Sequence, residues 1–502
     1  MTKLILAIDA GTTGIRTVLY DRSSREVART YREFTQITPA PGLLEHDPEE
    51  IWSVTQRLIY ETLAKAGVGP EAVAAIGVTG QRSTVLAWER VSSRPLYNAL
   101  VWQDVRTQAR CQELTALLGR PINPMMGLTR MEWLLQNVSG LREKILKGDA
   151  VMGTVDSWLV WKLTGGRAYV TDPSNAVVTG LWSPSTGTWI PEMARLIGLP
   201  VEALPEIVPS SAVYGETSPA VLGATVPVAA VCGDQQAAMF GHLCTEPGEG
   251  KATYGTSVMV DLNTGHQWVE GKGSYALALW RLNGRDFFML EGTVITGGAT
   301  ISWVKDLNII NSVEQSAELA SSVPDSGGVL FLPALQGLGT PFLEPGVRGA
   351  IVGLTRATTR AHLARAVLEG IAFRTRQVVE ALRADSPVPA FETLRADGGM
   401  AANEFFLQLQ ADVLGIPVER PATNQATALG IAYLAGLAVG YWSGIDEIRA
   451  TRIPGKRFLP SENAPALQTR FEQWQAVTNG LRTLMAHKTH TQGADRHVHI
   501  SF

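Results

Sequence analysis

Two α/β lobes of one design, with a ligand cleft between them, are the fold class that this sequence predicts, and three observations predict it. Strand-like and helix-like segments alternate throughout the 502 residues, a length that accommodates two domains with a core each. A small turn occurs twice: LILAIDAGTTGIR begins at Leu4 and GKATYGTSVMV at Gly250, each running an apolar segment into Gly-Thr-Thr or Gly-Thr-Ser and out into another. After each turn the elements follow in one order, a hairpin first and strand–Gly–helix units later. A repeat of half the chain marks a duplicated domain rather than a solenoid. Two such lobes leave a cleft, a usual place for a ligand.

The elements can be justified in turn. LILAIDA is an apolar run closed by an acid, and TVLYD after Arg16 is its hairpin partner. DPEEIWSVTQRLIYETLAKAG opens with Asp47, Pro48 and two glutamates, then places Ile51, Val54, Leu58, Ile59 and Leu63 at helical spacing. AVAAIGVTGQ reads as a buried strand running into a polar loop. PVAAVCGDQQAAMFG reads as a strand, then Gly-Asp-Gln-Gln, then a helix of small residues. TEPGEG reads as a linker, which divides the chain into an N-terminal lobe over 1–246 and a C-terminal lobe over 247–486. Beyond it come the second hairpin, ATYGTSVMVDLNTG, a helix capped by Thr359, and the strand–glycine–helix unit LRADGGMAANEFFLQLQADVLG.

Composition excludes several classes of function. A net charge of −4 gives no basic surface for nucleic acid. Cys111, Cys232 and Cys244 are too few and too scattered for a disulfide framework, and a reducing cytoplasm is the expected compartment. The N-terminus lacks the apolar core of a signal peptide and no later run has membrane-spanning length, so no membrane partner is expected. The tail over 487–502 holds four of the eight histidines and is expected to be a loosely ordered terminus rather than a metal site.

A turn of glycine and hydroxyl residues can aim backbone N–H and side-chain O–H groups at one point, which suits phosphate oxygens. One such turn commonly only closes a hairpin; two at matched places can hold successive phosphates of a polyphosphate. Asp9, where a strand meets the first turn, can hold Mg²⁺ through water or can simply cap the turn. Asp234 follows a buried strand and precedes a helix, so it is either an N-cap or a carboxylate held at a positive helix terminus.

AIDAGTTGIRTVLYD, NALVWQDVRT, GTVDSWLVWKLTGG, CGDQQAAMFG, KATYGTSVMVDLNTG, PFLEPGVRGAIVGLTR, LRADGGMAANEF and ATALGIAYLAGLAVGYW occur in the order found in the FGGY carbohydrate kinases. The chain resembles that family from about residue 4 to 445, and most of all its glycerol-phosphorylating branch. The resemblance implies two duplicated actin-like, ribonuclease-H-like ATPase lobes around an interlobe ATP cleft. It implies that Thr12 and Thr13, with Arg16 nearby, form the first phosphate turn, and that Asp9 helps to place Mg²⁺, the cofactor that accompanies ATP. Gly255 and Thr256 would form the second turn at the γ-phosphate, Gly298 would lie along the nucleotide, and Gly399 and Asn403 would hold its adenosine end. Asp234 would be the general base, Gln235 would orient the polyol, and Arg82 and Trp102 would complete its pocket. The reaction would be in-line phosphoryl transfer, which rests on positioning and charge neutralisation. ATP, ADP and a small polyol or sugar are the implied partners, and a homodimer or homotetramer is the implied assembly.

The sequence departs from that branch at the polyol site. The branch carries Gly-Gln-Arg-Glu-Thr, whereas this chain has Gly80-Gln81-Arg82-Ser83-Thr84, and Met125 stands where the branch has a tyrosine. Losing a charged hydrogen bond of about 1.5–3 kcal/mol would weaken glycerol binding roughly tenfold to a hundredfold. Ser83 and Met125 would also leave room for a longer substrate, such as erythritol, ribulose or xylulose. A family glutamine near the nucleotide is replaced by Ser302. SPAVLGATVP holds no basic residue where bacterial members carry a glycine-rich inhibitor loop, so fructose bisphosphate is not expected to inhibit. A nucleotide-binding protein without catalysis is the reading from another class. It requires loss of Asp9, Thr12, Thr256 or Asp234, and all four are present.

Overall fold

The computed structural model describes residues 3–494. It divides into two compact units, one of residues 1–243, 277–288 and 425–452, the other of 244–276, 289–424 and 453–502.

The first unit is built on a six-stranded sheet. Its strands are β1 (Leu4–Ala10), β2 (Gly14–Tyr20), β3 (Glu26–Glu33), β4 (Val73–Gly80), β5 (Ser211–Glu216) and β6 (Pro227–Gly233). They lie in the order β5-β6-β4-β1-β2-β3. β1 is wholly buried, as its apolar run from Leu4 to Ile8 requires. It pairs antiparallel with β2 and parallel with β4, and β4 pairs parallel with β6. The helix α1 (Pro48–Ala66) forms where expected: the Asp47 side chain accepts from the Glu49 N–H, proline occupies the first turn, and Gly67 ends it in the left-handed region. It buries Ile51, Val54, Leu58, Ile59 and Leu63, the stripe read from the sequence. α2 (Asp234–Gly241) leaves directly from β6. A four-stranded sheet in the same unit joins Glu45–His46, Ala99–Leu100, Val85–Glu89 and Ala150–Thr154, in that spatial order.

The second unit repeats the plan. Its sheet comprises β7 (Gly250–Tyr254), β8 (Val258–Gly265), the later part of β10 (Arg285–Val294), β11 (Leu394–Asp397), β12 (Val418–Arg420) and β13 (Lys456–Phe458), while most of β9 (Tyr275–Leu282) and the start of β10 fall in the 277–288 segment of the first unit. Within the second unit the order is β10-β8-β7-β11-β12-β13. β7 and β8 are an antiparallel hairpin, β7 pairs parallel with β11, β11 with β12, and β13 returns antiparallel on β12. Strand for strand this is the arrangement β1-β2, β4, β6 and β5. The helices follow: α3 (Gly298–Asp306), α4 (Arg360–Asp385) with its Thr359 cap closed reciprocally by His362, and α5 (Glu404–Leu414).

The units interleave, which a single cut between 246 and 247 does not describe. α6 (Ala426–Ala438), ATALGIAYLAGLA, is apolar on every face and belongs to the first unit. It packs on α2 at glycine contacts: a Cβ on Gly430 would come within 1.8 Å of the Ala237 carbonyl, and one on Gly241 within 1.9 Å of the Ala426 carbonyl. α7 (Ala464–Ala494) carries the backbone into the expected loose tail, whose histidine side chains lie outside the described residues. Among the described residues no helix is long and apolar enough to cross a membrane.

Candidate active site

In the first unit three parallel strands end side by side, with Ala10 of β1 opposite Gly80 of β4 and Gly80 opposite Gly233 of β6. The carboxyl ends of adjacent parallel strands are where open α/β sheets gather ligands. Here they deliver Asp9 and the Gly11–Thr13 turn from β1, Arg82 from β4, and Asp234 with Gln235 from β6.

Asp9 faces Arg16 across the hairpin, with Arg16 Nη1 donating to Asp9 Oδ2 at 3.2 Å. The carboxylate therefore pairs with a guanidinium instead of capping the turn. Burial pushes its pKa up to about 6 against the pull of Arg16, and the neighbouring Asp234 adds to the rise. A buried carboxylate that resists ionisation gains from a cation beside it, and its hard oxygens suit Mg²⁺. Thr12 is half-buried and Thr13 exposed at the tip.

Asp234 is the first residue of α2, with Gly233 in the cap position, so it is not the helix N-cap. Its Oδ1 accepts from the Gln235 N–H at 2.8 Å and lies 3.3 Å from Arg82 Nε. Gly233 permits this approach: a Cβ there would stand 2.9 Å from both Cγ and Cδ of Arg82. Trp102 Nε1 donates to Thr12 Oγ1 at 2.9 Å, tying the expected polyol wall to the first turn.

Ser83 and Met125 are arranged differently from an open polyol wall. Ser83 has a left-handed backbone (φ 64°) and is buried. Its hydroxyl donates to the Met125 carbonyl and accepts from Arg130 Nη2 at 2.9 Å. Arg130, which no sequence signal singled out, is itself buried and donates to the carbonyls of Ser83, Met125 and Pro124. Burial lowers its pKa to about 10. The Met125 side chain is half exposed.

The second unit gathers the other expected residues. Gly255 and Thr256 form the turn from β7 to β8, and their carbonyls accept from the N–H groups of Gly298 (2.8 Å), Gly297 and Ala299 (both 3.0 Å). The turn is thereby fastened to the N-terminus of α3, and a Cβ on Gly298 would sit 2.6 Å from the Gly255 carbonyl. Gly398 lies under Tyr254 at a positive φ, and Gly399 beside it is exposed with open space where a Cβ would go. Asn403 is the N-cap of α5, its Oδ1 accepting from Phe406 N–H at 2.9 Å, which commits one end of its amide to the helix. Ser302 on α3 is exposed.

The N-terminal domain model of the FGGY family of carbohydrate kinases matches residues 4–241, and the C-terminal domain model matches residues 250–439. Glycerol kinase 2 of Thermotoga maritima is 44% identical, covering 95% of this chain and 99% of its own. The glycerol kinase of Carboxydothermus hydrogenoformans is 45% identical, over 95% of this chain and 98% of its own. Among solved structures, the glycerol kinase of Plasmodium falciparum with ADP aligns with a TM-score of 0.90 at 30% identity, covering 96% of this chain and 98% of that one. A gluconate kinase from Lactobacillus acidophilus shares the fold, with a TM-score of 0.85 at 23% identity over 96% of this chain and 98% of that one.

Proposed function

The chain belongs to the FGGY family of carbohydrate kinases, and from that premise we propose that it transfers the γ-phosphoryl group of ATP to a hydroxyl of glycerol. The observation that carries this reading is the meeting of Arg82 and Asp234 at 3.3 Å where β4 and β6 end, beside Asp9 at the end of β1. Asp234 takes the proton of the attacking hydroxyl, for which it must stand within hydrogen-bond reach of that oxygen. Arg82 holds the carboxylate in place, and Arg82, Trp102 and Gln235 orient the polyol. Each Gly-Thr turn takes phosphate oxygens, Thr12 and Thr13 in the first and Gly255 and Thr256 in the second. Gly298, Gly399 and the free end of the Asn403 amide serve the nucleoside. Asp9 is the residue that would hold Mg²⁺; the ion would neutralise phosphate charge when bound. Residence in the cytoplasm and a homodimeric or homotetrameric state belong to the same reading and rest on the family.

A second reading, a four- or five-carbon polyol or ketose as acceptor, is favoured by one observation: Ser83 brings no carboxylate to the pocket and commits its hydroxyl to Met125 and Arg130. A coupled ADP-release assay across glycerol, erythritol, D-ribulose and D-xylulose decides between them. Turnover on glycerol well above the others is expected, and the reverse order would install the longer substrate. Asp234→Asn is expected to lower kcat by about 10²- to 10⁴-fold, the usual worth of a general base, with ATP binding retained. Undiminished turnover in that variant would remove Asp234 from its role.

A further inference from the structure

His46 lies behind the first turn, in the HDPEE segment that otherwise starts α1, and it is fully buried. Its strand residue pairs with Ala99, and its ring packs edge-on against Phe34 with centroids 4.8 Å apart. Both ring nitrogens face glutamines. Nε2 is 2.9 Å from Gln36 Oε1, and Nδ1 is 3.3 Å from Gln81 Nε2. Each glutamine then reaches the turn: Gln36 Nε2 donates to the Thr12 carbonyl at 3.1 Å, and Gln81 Nε2 to the Gly11 carbonyl at 3.4 Å. The Gln81 carbonyl oxygen accepts from Thr84 Oγ1 at 2.8 Å, and Thr84 Oγ1 in turn accepts from the Trp102 backbone N–H at 3.3 Å. Trp102 closes the circuit through its indole donation to Thr12 Oγ1.

The donor count fixes the state of the ring. Gln36 offers an oxygen, so Nε2 carries the hydrogen; Gln81 offers an N–H, so Nδ1 must be a lone pair. A second proton would set Nδ1–H against the Gln81 N–H, and burial already pulls the pKa down to about 4.

We propose that His46 is a positioning residue which, as a neutral Nε2–H imidazole, clamps the Gly11–Thr12 carbonyls through Gln36 and Gln81 and couples the phosphate turn to the polyol wall at Trp102. The inference rests on the reading of that turn as a phosphate site. Its consequence is reciprocal: whatever glycerol does to nucleotide affinity, nucleotide does to glycerol affinity, and the circuit carries that coupling.

The test is a binding cycle by calorimetry. The affinity of AMP-PNP with Mg²⁺ is measured with and without saturating glycerol in the wild-type chain, His46→Leu, His46→Gln and Gln36→Leu. Gln36 is exposed, so its variant folds even where loss of the buried imidazole is not tolerated. The wild-type chain is expected to bind AMP-PNP several-fold tighter with glycerol present. His46→Leu is expected to abolish that gain and weaken AMP-PNP about tenfold. Gln36→Leu should lose part of the gain, and His46→Gln, which keeps a donor and an acceptor, should retain most of it. A wild-type chain whose AMP-PNP affinity ignores glycerol would overturn the proposal. So would leucine variants with an unchanged gain, or glutamine failing as badly as leucine at position 46. A wild-type chain that binds no AMP-PNP at all would instead sink the phosphate-turn reading beneath it.

Discussion

The two Gly-Thr hairpins share a topology and differ in where they keep their charge. In the first, Asp9 and Arg16 face each other one step from the turn, with 11% and 31% of their side chains exposed. In the second, the corresponding step is Thr253 opposite Met259, which is neutral. Its ion pair lies deeper, Lys251 Nζ at 2.7 Å from Asp261 Oδ2, with neither side chain exposed. Duplication thus preserved a scaffold that presents backbone groups at a strand end, while the ionisable groups went to the mouth of one copy and to the interior of the other. A charge at the mouth can serve a ligand; a charge sealed in a sheet serves the fold.

The strongest way to break that contrast is to remove one cation from each pair. Lys251→Met leaves the Asp261 carboxylate buried without its partner, a change that costs about 3–5 kcal/mol. Arg16→Met removes a partly exposed partner and is expected to cost about 1 kcal/mol or less. Urea unfolding of the two variants should therefore separate widely, while ATP turnover falls in Arg16→Met. Equal losses of stability would mean that the two hairpins use their charges alike. Replacing Lys251 and Asp261 together, by Met and Leu, should recover most of the single-variant loss, because no unpaired charge remains.

Titration sharpens the same contrast at the first turn. Asp9 is raised to about 6 in the fold, so its contribution to stability is fully present below its unfolded pKa of about 4 and is lost as pH rises through about 6. His46 runs the other way: lowered to about 4, it contributes above its unfolded pKa of about 6.5 and loses that contribution as pH falls toward 4. At roughly 1.4 kcal/mol per unit each slope amounts to about 3 kcal/mol, and between pH 4 and 6 they oppose each other. Asp9→Asn removes one slope. Its stability relative to the wild-type chain should rise by about 2 kcal/mol from pH 4 to pH 7, and its own curve should fall on acidification as the His46 slope emerges. Parallel pH–stability curves for the two proteins would show that Asp9 titrates normally.

The fold was legible because its signals are local and repeated. The β1 run, the Asp47-Pro48 helix start, the Thr359 cap and the glycine turns each follow from residue type and spacing, and the duplication doubled the weight of each. The position of Asp234 marks it in the sequence, but the roles proposed for it and for Arg82 come only through resemblance, since a strand followed by Gly-Asp is compatible with an ordinary helix cap. What stayed hidden depends on distance in sequence. α6 returns to the first unit from residue 426 through glycine contacts with α2, which no spacing within ATALGIAYLAGLA announces. Arg130 and His46 act through carbonyls and glutamine amides, partners that leave no charge pattern to read. Ser83 reads as a substituted substrate contact, and no spacing announces that its hydroxyl bonds the Met125 carbonyl and Arg130, the latter 47 residues away along the chain.

A kinetic prediction tests how closely Asp234, the proposed general base, depends on its glycine. At Gly233 the backbone is extended, so an alanine is conformationally acceptable there, and only space opposes it. Its Cβ would meet Arg82 Cγ and Cδ at 2.9 Å and Gln236 Oε1 at 2.8 Å. The arginine stem is flexible and can yield by a few tenths of an ångström, which tilts its guanidinium away from Asp234 without unfolding β6. Gly233→Ala is therefore expected to raise KM for the polyol about tenfold, equivalent to about 1.4 kcal/mol, with KM for ATP nearly unchanged. The equivalent crowding in the second unit, Gly298→Ala, presses on the Gly255 carbonyl, which is backbone and cannot rotate aside. That variant should raise KM for ATP and leave the polyol KM alone. Steady-state kinetics with each substrate varied in turn reads both, and a shift of the same constant in both variants would deny the division of labour between the Asp234 site and the second turn.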